Sequence, residues 1–482
     1  MSQSVRNLEP KALWNNFADL NAVPRASKKE GRVIEFMMQF GKKLGLPTSK
    51  DEVGNVIIKK PGSKGMENKP AVALQSHLDM VHQKNADTDF DFDKEGIKMF
   101  VDGDWVKADG TTLGADNGIG VAAIMTLLAS DDIPHPPLEA LFTIDEETGM
   151  TGAMGLKGGL LDAKCMLNLD TEDDNELTIG CAGGVDVTGT GTYKETAPRG
   201  GTGFRVKVKG LTGGHSGMDI HLGRGNANKL MNRLLYGAAD QLGVRVAMID
   251  GGGLRNAIPR ESKAEVVVAG SKAAKFKKYI KEMDAIFKAE HSTTDPDMEV
   301  VCEAAEKPAA VLARPFQDKL LRAVYACPNG VYRLSPDIAG LTQTSNNVAR
   351  ILVKDGGFSI QCLTRSSVNS EKEDLADAIK CCLELAGASV SQSGGYPGWT
   401  PKPTSAIVKL MDGLYEELYQ EKAHVNACHA GLECGILGTN YPEMEMISFG
   451  PNIRGAHSPD EKVQISSVQK FWGFLLETLK RV

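Results

Sequence analysis

The chain has 482 residues, 41% apolar and 24% charged, an ordinary globular composition whose length suggests two to three domains. Its 62 acidic and 55 basic residues leave a formal net charge of −7, and aromatics make up only 6%; this gives nucleic acid neither an electrostatic hold nor a base-stacking surface. No run of about 18 apolar residues occurs and the first residues, MSQSVRNLEPKALWNNF, lack an apolar core, so neither a membrane span nor a secretory leader is expected. The 9 cysteines form no C-x-x-C pair, which argues for reduced thiols in the cytoplasm and against a zinc ribbon.

Residues 10–20 and 27–44 carry amphipathic helical spacing, the second opened by Ser27 with Glu30 three residues on, the form of a capping box. Residues 55–60, NVIIKK, read as a strand. Residues 71–74 begin a buried strand that runs into SHLDMV. Residues two apart on an extended chain point the same way, so His77 and Asp79 address one place. A ligating imidazole usually has its second nitrogen held by a carboxylate, so His-x-Asp can supply a ligand and its support; a plain structural pair fits the same string. The acidic segment 87–102 imitates a calcium loop at Asp91, Asp93, Glu95 and Gly96. It closes on Asp102 instead of Glu and has strand-like flanks, so it reads as a solvated loop. Residues 100–106 read as a hairpin turning on Asp-Gly.

The small-residue loop 111–120 sets Asp116 at the entry to a helix over 121–129, where a helix cap is the plain alternative. A strand over 138–144 ends in Asp145-Glu146-Glu147. Adjacent carboxylates raise one another's pKa, and a bound cation would relieve that. A strand over 165–169 ends in Asp170. Four apolar segments thus end in, or run into, His or acidic residues, and open α/β sheets place their sites at the carboxyl ends of strands.

Beyond Cys181 the pattern becomes β-rich. Residues 204–209 alternate like a half-exposed strand. The Gly-rich stretch 210–225 holds His215-Ser216-Gly217 but no Gly-Lys-Ser/Thr of a phosphate loop. Helices over 228–237, 272–290 and 372–386 and strands over 244–249, 264–268, 345–353 and 357–363 follow. A turn-rich boundary at 394–401 brings back the helix-and-strand pattern of the N-terminal part, with a helix over 405–420, a strand over 444–449, a loop over 450–459 carrying His457, and a closing helix over 466–481. The expected fold is α/β. A discontinuous catalytic domain, 1–185 and 399–482, has a mixed sheet flanked by helices. An α+β domain over 186–398, with two similar halves, is inserted into it.

Collected, His77, Asp116, Glu147, Asp170 and His457 offer two imidazoles and three carboxylates, a set that suits one or two zinc-like ions with an open position for water or substrate. Two such ions about 3.5–4 Å apart can activate a water and polarise a carbonyl. Glu146 is then the natural general base, although on a straight strand it would point away from Glu147 and needs a local bend. No Gly-x-Ser-x-Gly elbow supports a serine triad. Cys428 and Cys434 around His429 read more simply as packing than as a thiol nucleophile.

Six ordered strings, SHLDMV at 76–81, LGADNGIG at 113–120, DEETGMTGA at 145–153, NLD at 168–170, GGHSG at 213–217 and RGAHSPDE at 454–461, resemble the di-zinc peptidases related to carnosinase and carboxypeptidase G, nearly end to end. HSGMDIHLGRGNANKL at 215–230 and CHAGLECG at 428–435 narrow the resemblance to the bacterial dipeptidases of that family. The resemblance implies two zinc ions per subunit, replaceable by manganese or cobalt. Asp116 bridges them, His77 and Asp170 complete one site, and Glu147 and His457 complete the other. It implies Asp79 as the support of His77, Glu146 as the base, and a cis peptide at Asp116–Asn117. It makes 186–398 a lid and dimerisation domain, in which His215 steadies the oxyanion and Asn256, Arg365 and Gly431 hold substrate. An Arg fork suits a peptide's free carboxylate. The implied activity is hydrolysis of unblocked L-dipeptides, including Xaa-His dipeptides such as β-Ala-His, by a cytoplasmic homodimer with no nucleic-acid or membrane partner. The alternatives are a tripeptide aminopeptidase or N-acyl amino acid deacylase of the same family, and a non-enzymatic metal-stabilised binding protein.

Overall fold

The structure is a computed structural model that describes residues 2–482. The chain divides into two compact units. The first takes the residues up to Gly180, Trp399–Ala427 and Leu432–Val482; the second takes Cys181–Gly398 and Cys428–Gly431. The insertion therefore starts at Cys181 rather than at residue 186, and it reclaims four residues from the C-terminal segment.

The first unit is organised by an eight-stranded sheet. Its middle strands, Leu138–Thr143, Val72–His77 and Cys165–Asn168, lie side by side and parallel. Both Val72–His77 and Leu138–Thr143 are buried throughout, which is why they read as continuous apolar runs rather than alternating ones. Because the three are parallel, their carboxyl ends share one edge. Thr48–Lys50 and Val56–Lys60 extend the sheet on one side, and Glu445–Ser448, Glu176–Cys181 and His424–Cys428 on the other. The helix Lys11–Asn21 packs on Ala115–Ala129, which packs on Val72–His77. A separate four-stranded sheet joins Ile453–Arg454, Lys462–Gln464, Trp105–Ala108 and Met99–Asp102, and so pins both ends of the loop that carries His457.

The capping box expected at Ser27 is not formed. The helix runs over Gly31–Lys43 with no side-chain cap among the described residues. The Ser27 hydroxyl is drawn away to Asp79, 2.8 Å distant, and Glu30 accepts the backbone N–H of Lys28. The acidic loop is charge-paired at the surface, with Asp93 on Lys29 and Asp91 on Lys94, each at 2.7 Å.

The second unit is a nine-stranded antiparallel sheet. In Thr202–Lys209, Phe204, Val206 and Val208 are buried while Arg205 is exposed and Lys207 and Lys209 are half-buried, the alternation of a one-sided strand. The buried face packs with the helices Ala227–Leu242, Ala273–Glu290, Arg314–Ala326 and Asn369–Leu385 through residues such as Leu234, Phe276, Leu320 and Ile379. The pairing of Arg245–Gly252 with Thr342–Lys354 joins the two halves of the insertion into one sheet. No disulfide joins any of the 9 cysteines. Among the described residues, no helix is long and apolar enough to cross a membrane.

Candidate metal centre

The three parallel strand ends deliver most of the acidic and imidazole groups to one edge. His77 closes its own strand, and Asp170 follows Cys165–Asn168 by two residues. After Leu138–Thr143 the chain bends at Asp145, whose φ of 54° lies in the left-handed region, and starts the short helix Glu146–Gly149. That bend and helix remove the strand alternation, so Glu146 and Glu147 can both serve the same place. The bend is anchored by Lys28 Nζ at 2.5 Å from Asp145 and by the Thr151 hydroxyl at 2.6 Å. Asp116 enters from the start of Ala115–Ala129, where it departs from helical geometry and is joined to Asn117 by a cis peptide. His457 comes from the pinned loop, at a φ of 66°.

Ligand atoms of His77, Asp116 and Asp170 lie within 4.8 Å of one another, and so do those of Asp116, Glu147 and His457. Asp116 belongs to both groups and turns one oxygen to each. Its Oδ1 is 3.2 Å from His77 Nε2, and its Oδ2 is 3.3 Å from His457 Nε2. Asp170 Oδ1 is 3.5 Å from His77 Nε2, and Glu147 Oε2 is 3.0 Å from His457 Nε2. Glu146 joins His77 and Glu147 in a third such group.

Asp79 organises this edge from below. Its Oδ1 lies 3.3 Å from His77 Nδ1 and accepts the N–H of Glu146 at 3.0 Å, while its Oδ2 accepts the N–H of Glu147 at 3.3 Å. One buried carboxylate therefore orients an imidazole and caps the helix that carries both glutamates. Asn117 does similar work for Asp170, donating to its Oδ1 and to the Leu169 carbonyl.

The electrostatics fit a cation-binding role. Burial would raise the Asp116 pKa, but hydrogen bonds from His457 and His77 hold it well below the carboxylate range. Burial pushes Asp170 up to about 6, with Asp116 and Glu147 adding and His77 opposing. Hydrogen bonds to Asp116 and Glu147 lift His457 to about 11. Burial disfavours a charge on His77, yet Asp170, Asp116 and Asp79 hold it well above its ordinary value. In the protein alone, protons on the imidazoles thus balance the carboxylates. A divalent cation in each group can take the place of those protons and leaves both imidazoles neutral, as ligation requires. Glu147 Oε1 is buried without a hydrogen-bond partner among the described residues, an unmet acceptor that such a cation would satisfy.

The second unit gathers a different set. Two backbone N–H groups, of Gly217 and Met218, donate to His215 Nδ1 at 3.2 and 3.0 Å, which leaves Nε2 as the ring's donor. Burial, helped by the Arg365 charge, lowers the His215 pKa and so favours that neutral form. Asn256 is adjacent, its carbonyl accepting the N–H of Ser216 at 2.7 Å. A Cβ placed on Gly217 would stand 3.1 Å from His215 Cε1, 3.2 Å from Arg365 Nε and 2.1 Å from the His429 carbonyl, so Gly217 lets these groups converge. Arg365 is 4% exposed; it donates to the Tyr396 hydroxyl at 2.8 Å, and its Nε has no partner among the described residues. Gly431 closes the short segment Cys428–Gly431 that carries His429.

Several supporting residues carry no clear signal in the sequence. Buried Arg25 donates to the carbonyls of Leu78, Asp79 and Gly114. Glu433 accepts from Gln75 and Thr143, both at 2.7 Å, beneath His77 and Glu146. Glu461 grips the Asp116 loop. His429 meets the Ser345 hydroxyl at 2.8 Å. Glu433 stands inside CHAGLECG, where an acid amid small or apolar residues is the available signal; Glu461 ends RGAHSPDE between Asp460 and Lys462, where nothing in the pattern marks it as buried.

The sequence profile described as Peptidase family M20/M25/M40 matches residues 73–481. The chain is 42% identical over 479 residues to the cytosol non-specific dipeptidase of Escherichia coli (strain K12), covering 99% of each protein. The crystal structure of aminoacylhistidine dipeptidase from Vibrio alginolyticus superposes with a TM-score of 0.95 at 42% identity, covering 100% of this chain and 99% of that one. The aminopeptidase PepT of Bacillus cereus shares the fold, at a TM-score of 0.57 and 15% identity over 98% of each chain.

Proposed function

The chain belongs to peptidase family M20/M25/M40, and on that premise we propose that it is a metal-dependent dipeptidase cleaving unblocked L-dipeptides, Xaa-His dipeptides such as β-Ala-His among them. The observation that carries the reading is Asp116 presenting one oxygen to each of two ligand groups, with Glu146 beside them. The substrate class comes from the two relatives at 42% identity, both named as dipeptidases.

His77, Asp116 and Asp170 would hold one cation and Asp116, Glu147 and His457 the other; two imidazoles with three carboxylates suit zinc, and manganese or cobalt can substitute. When bound, the pair supplies Lewis acidity to a water and to the scissile carbonyl. Glu146 takes a proton from the attacking water and returns it to the leaving nitrogen, so it ends the cycle as it began. Asp79 keeps His77 in the tautomer that offers Nε2 and holds the backbone of both glutamates. We assign substrate recognition to the second unit. Arg365, with its free Nε, takes the dipeptide's carboxylate, His215 donates from Nε2 to the developing oxyanion, and Asn256 and the Gly431 backbone complete the hold. The same reading makes this unit the lid and the contact of a homodimer. It places the protein in the cytoplasm, in line with the printed name of the Escherichia coli relative.

Asp79→Ala is expected to lower kcat/KM by about 10- to 100-fold through loss of the His77 support. It should also destabilise the fold by about 1–3 kcal/mol, because buried donors lose their acceptor. Steady-state kinetics and thermal melts of the metal-loaded protein check both. Arg365→Lys, which removes the planar fork, is expected to raise KM about 10- to 100-fold with kcat little changed, the worth of a charge-assisted pair of about 1.5–3 kcal/mol.

A substrate panel tests the function itself: Ala-His, β-Ala-His, Leu-Gly, a tripeptide and an N-acetyl amino acid. Cleavage confined to the dipeptides is the expected result. Cleavage confined to the tripeptide or the acetylated compound would reassign the substrate.

A further inference from the structure

Glu461 is 2% exposed and accepts four consecutive backbone N–H groups. Leu113 and Gly114 donate to Oε2 at 2.7 and 2.9 Å, and Ala115 and Asp116 donate to Oε1 at 2.7 and 3.2 Å. Gly114, at a φ of 68°, is the left-handed residue in the run of successive N–H groups that forms this concave anion nest. On the other side of the same peptides, Arg25 Nη2 donates to the Gly114 carbonyl at 2.5 Å, and a Cβ on Gly114 would stand 2.5 Å from that nitrogen. A lone buried carboxylate is costly. Here the four N–H groups and the buried Arg25 guanidinium offset part of that cost.

The clasp joins two loops of the site. Glu461 stands four residues after His457, in the loop pinned between Ile453–Arg454 and Lys462–Gln464. The residues it grips end in Asp116, which serves both groups, so what the clasp fixes for one group alone is the place of the His457 loop against Asp116. His77 and Asp170 instead depend on strands whose pairing does not involve Glu461. The His77 side chain is 1% exposed and that of His457 is 57% exposed, so the two imidazoles differ in how far the protein encloses them.

We propose that Glu461 is a positioning residue that sets the cation affinity of the Asp116–Glu147–His457 group, largely apart from that of His77–Asp116–Asp170. The two cations then bind with unequal strength, and the weaker one depends on the clasp. This rests on the two-cation reading above.

The test is equilibrium dialysis of the metal-free full-length protein against zinc, wild type beside Glu461→Gln. Gln keeps the volume but turns an amide N–H₂ toward backbone donors. Wild type is expected to take two equivalents. The variant should take the first with nearly wild-type affinity and the second about 10- to 100-fold more weakly, the range for outer contacts of a metal site. Should the Gln variant not fold, Glu461→Asp, which keeps the charge and retracts it by one methylene, is read in the same titration. A merely structural Glu461 would lower the melting temperature and leave the ratio of the two affinities unchanged, which overturns the proposal. Equal weakening of both sites overturns it as well. A wild type that takes fewer than two equivalents overturns the two-cation reading itself, and that result is distinct because it is seen before any substitution.

Discussion

Glu146→Gln is expected to lower kcat by about 100- to 10,000-fold, the range for loss of a general base, while metal content stays at the wild-type level. Glu146 opens the short helix after the Asp145 bend, with its N–H held by Asp79. That places it beside the ligands without making it one of the two Asp116-centred groups. Burial, reinforced by the Asp170, Glu433 and Glu147 charges and opposed by His77, holds its carboxyl well above the usual carboxylate range. A carboxylate of that kind binds a proton more tightly than a surface one, which suits a group that must take a proton from water and keep it until the amine leaves. Gln preserves the volume and the backbone contact to Asp79, so the variant isolates the lost base. Stopped or steady-state kinetics with parallel zinc analysis checks it. Turnover within tenfold of wild type, at full metal content, would give the role to another group.

Asp116→Ala should do more, because both ligand groups pass through this one carboxylate. Each group would keep only two of its three side chains, and His77 and His457 would each lose a carboxylate partner at 3.2 and 3.3 Å. Zinc content should fall below one equivalent per chain. Activity should fall by at least about 1,000-fold, since Lewis-acid stabilisation is worth several kcal/mol and each 1.36 kcal/mol is tenfold in rate. Asp170→Ala is the control, as it touches one group alone. Two retained equivalents in Asp116→Ala would contradict the shared-ligand reading.

The convergence of His77, Asp116, Glu147, Asp170 and His457 is legible in the sequence because its causes are local. Buried parallel strands write themselves as apolar runs, and a run that stops at His or Asp marks where the sheet's edge lies. What is not legible depends on partners far away in the chain. Ser27 and Glu30 have the spacing of a capping box, but an acceptor 52 residues on takes the hydroxyl. Strand alternation puts Glu146 and Glu147 on opposite sides, and only the left-handed Asp145 shows why it does not apply. Glu461 and Arg25 are charged residues in short loops, which pattern alone assigns to solvent. Their burial follows from meeting the same Gly114 peptides, 347 and 89 residues away. In the second unit, strands such as Gly183–Thr192 are rich in Gly and Thr and carry too little apolar signal to be found by pattern.

The most direct test of the two-cation centre is a zinc add-back titration of chelator-stripped protein, following Ala-His hydrolysis and bound metal together. Negligible hydrolysis without metal, and full activity only as the second equivalent binds, is the predicted result. Full activity already reached with one bound equivalent, or full hydrolysis by the stripped protein, would contradict it.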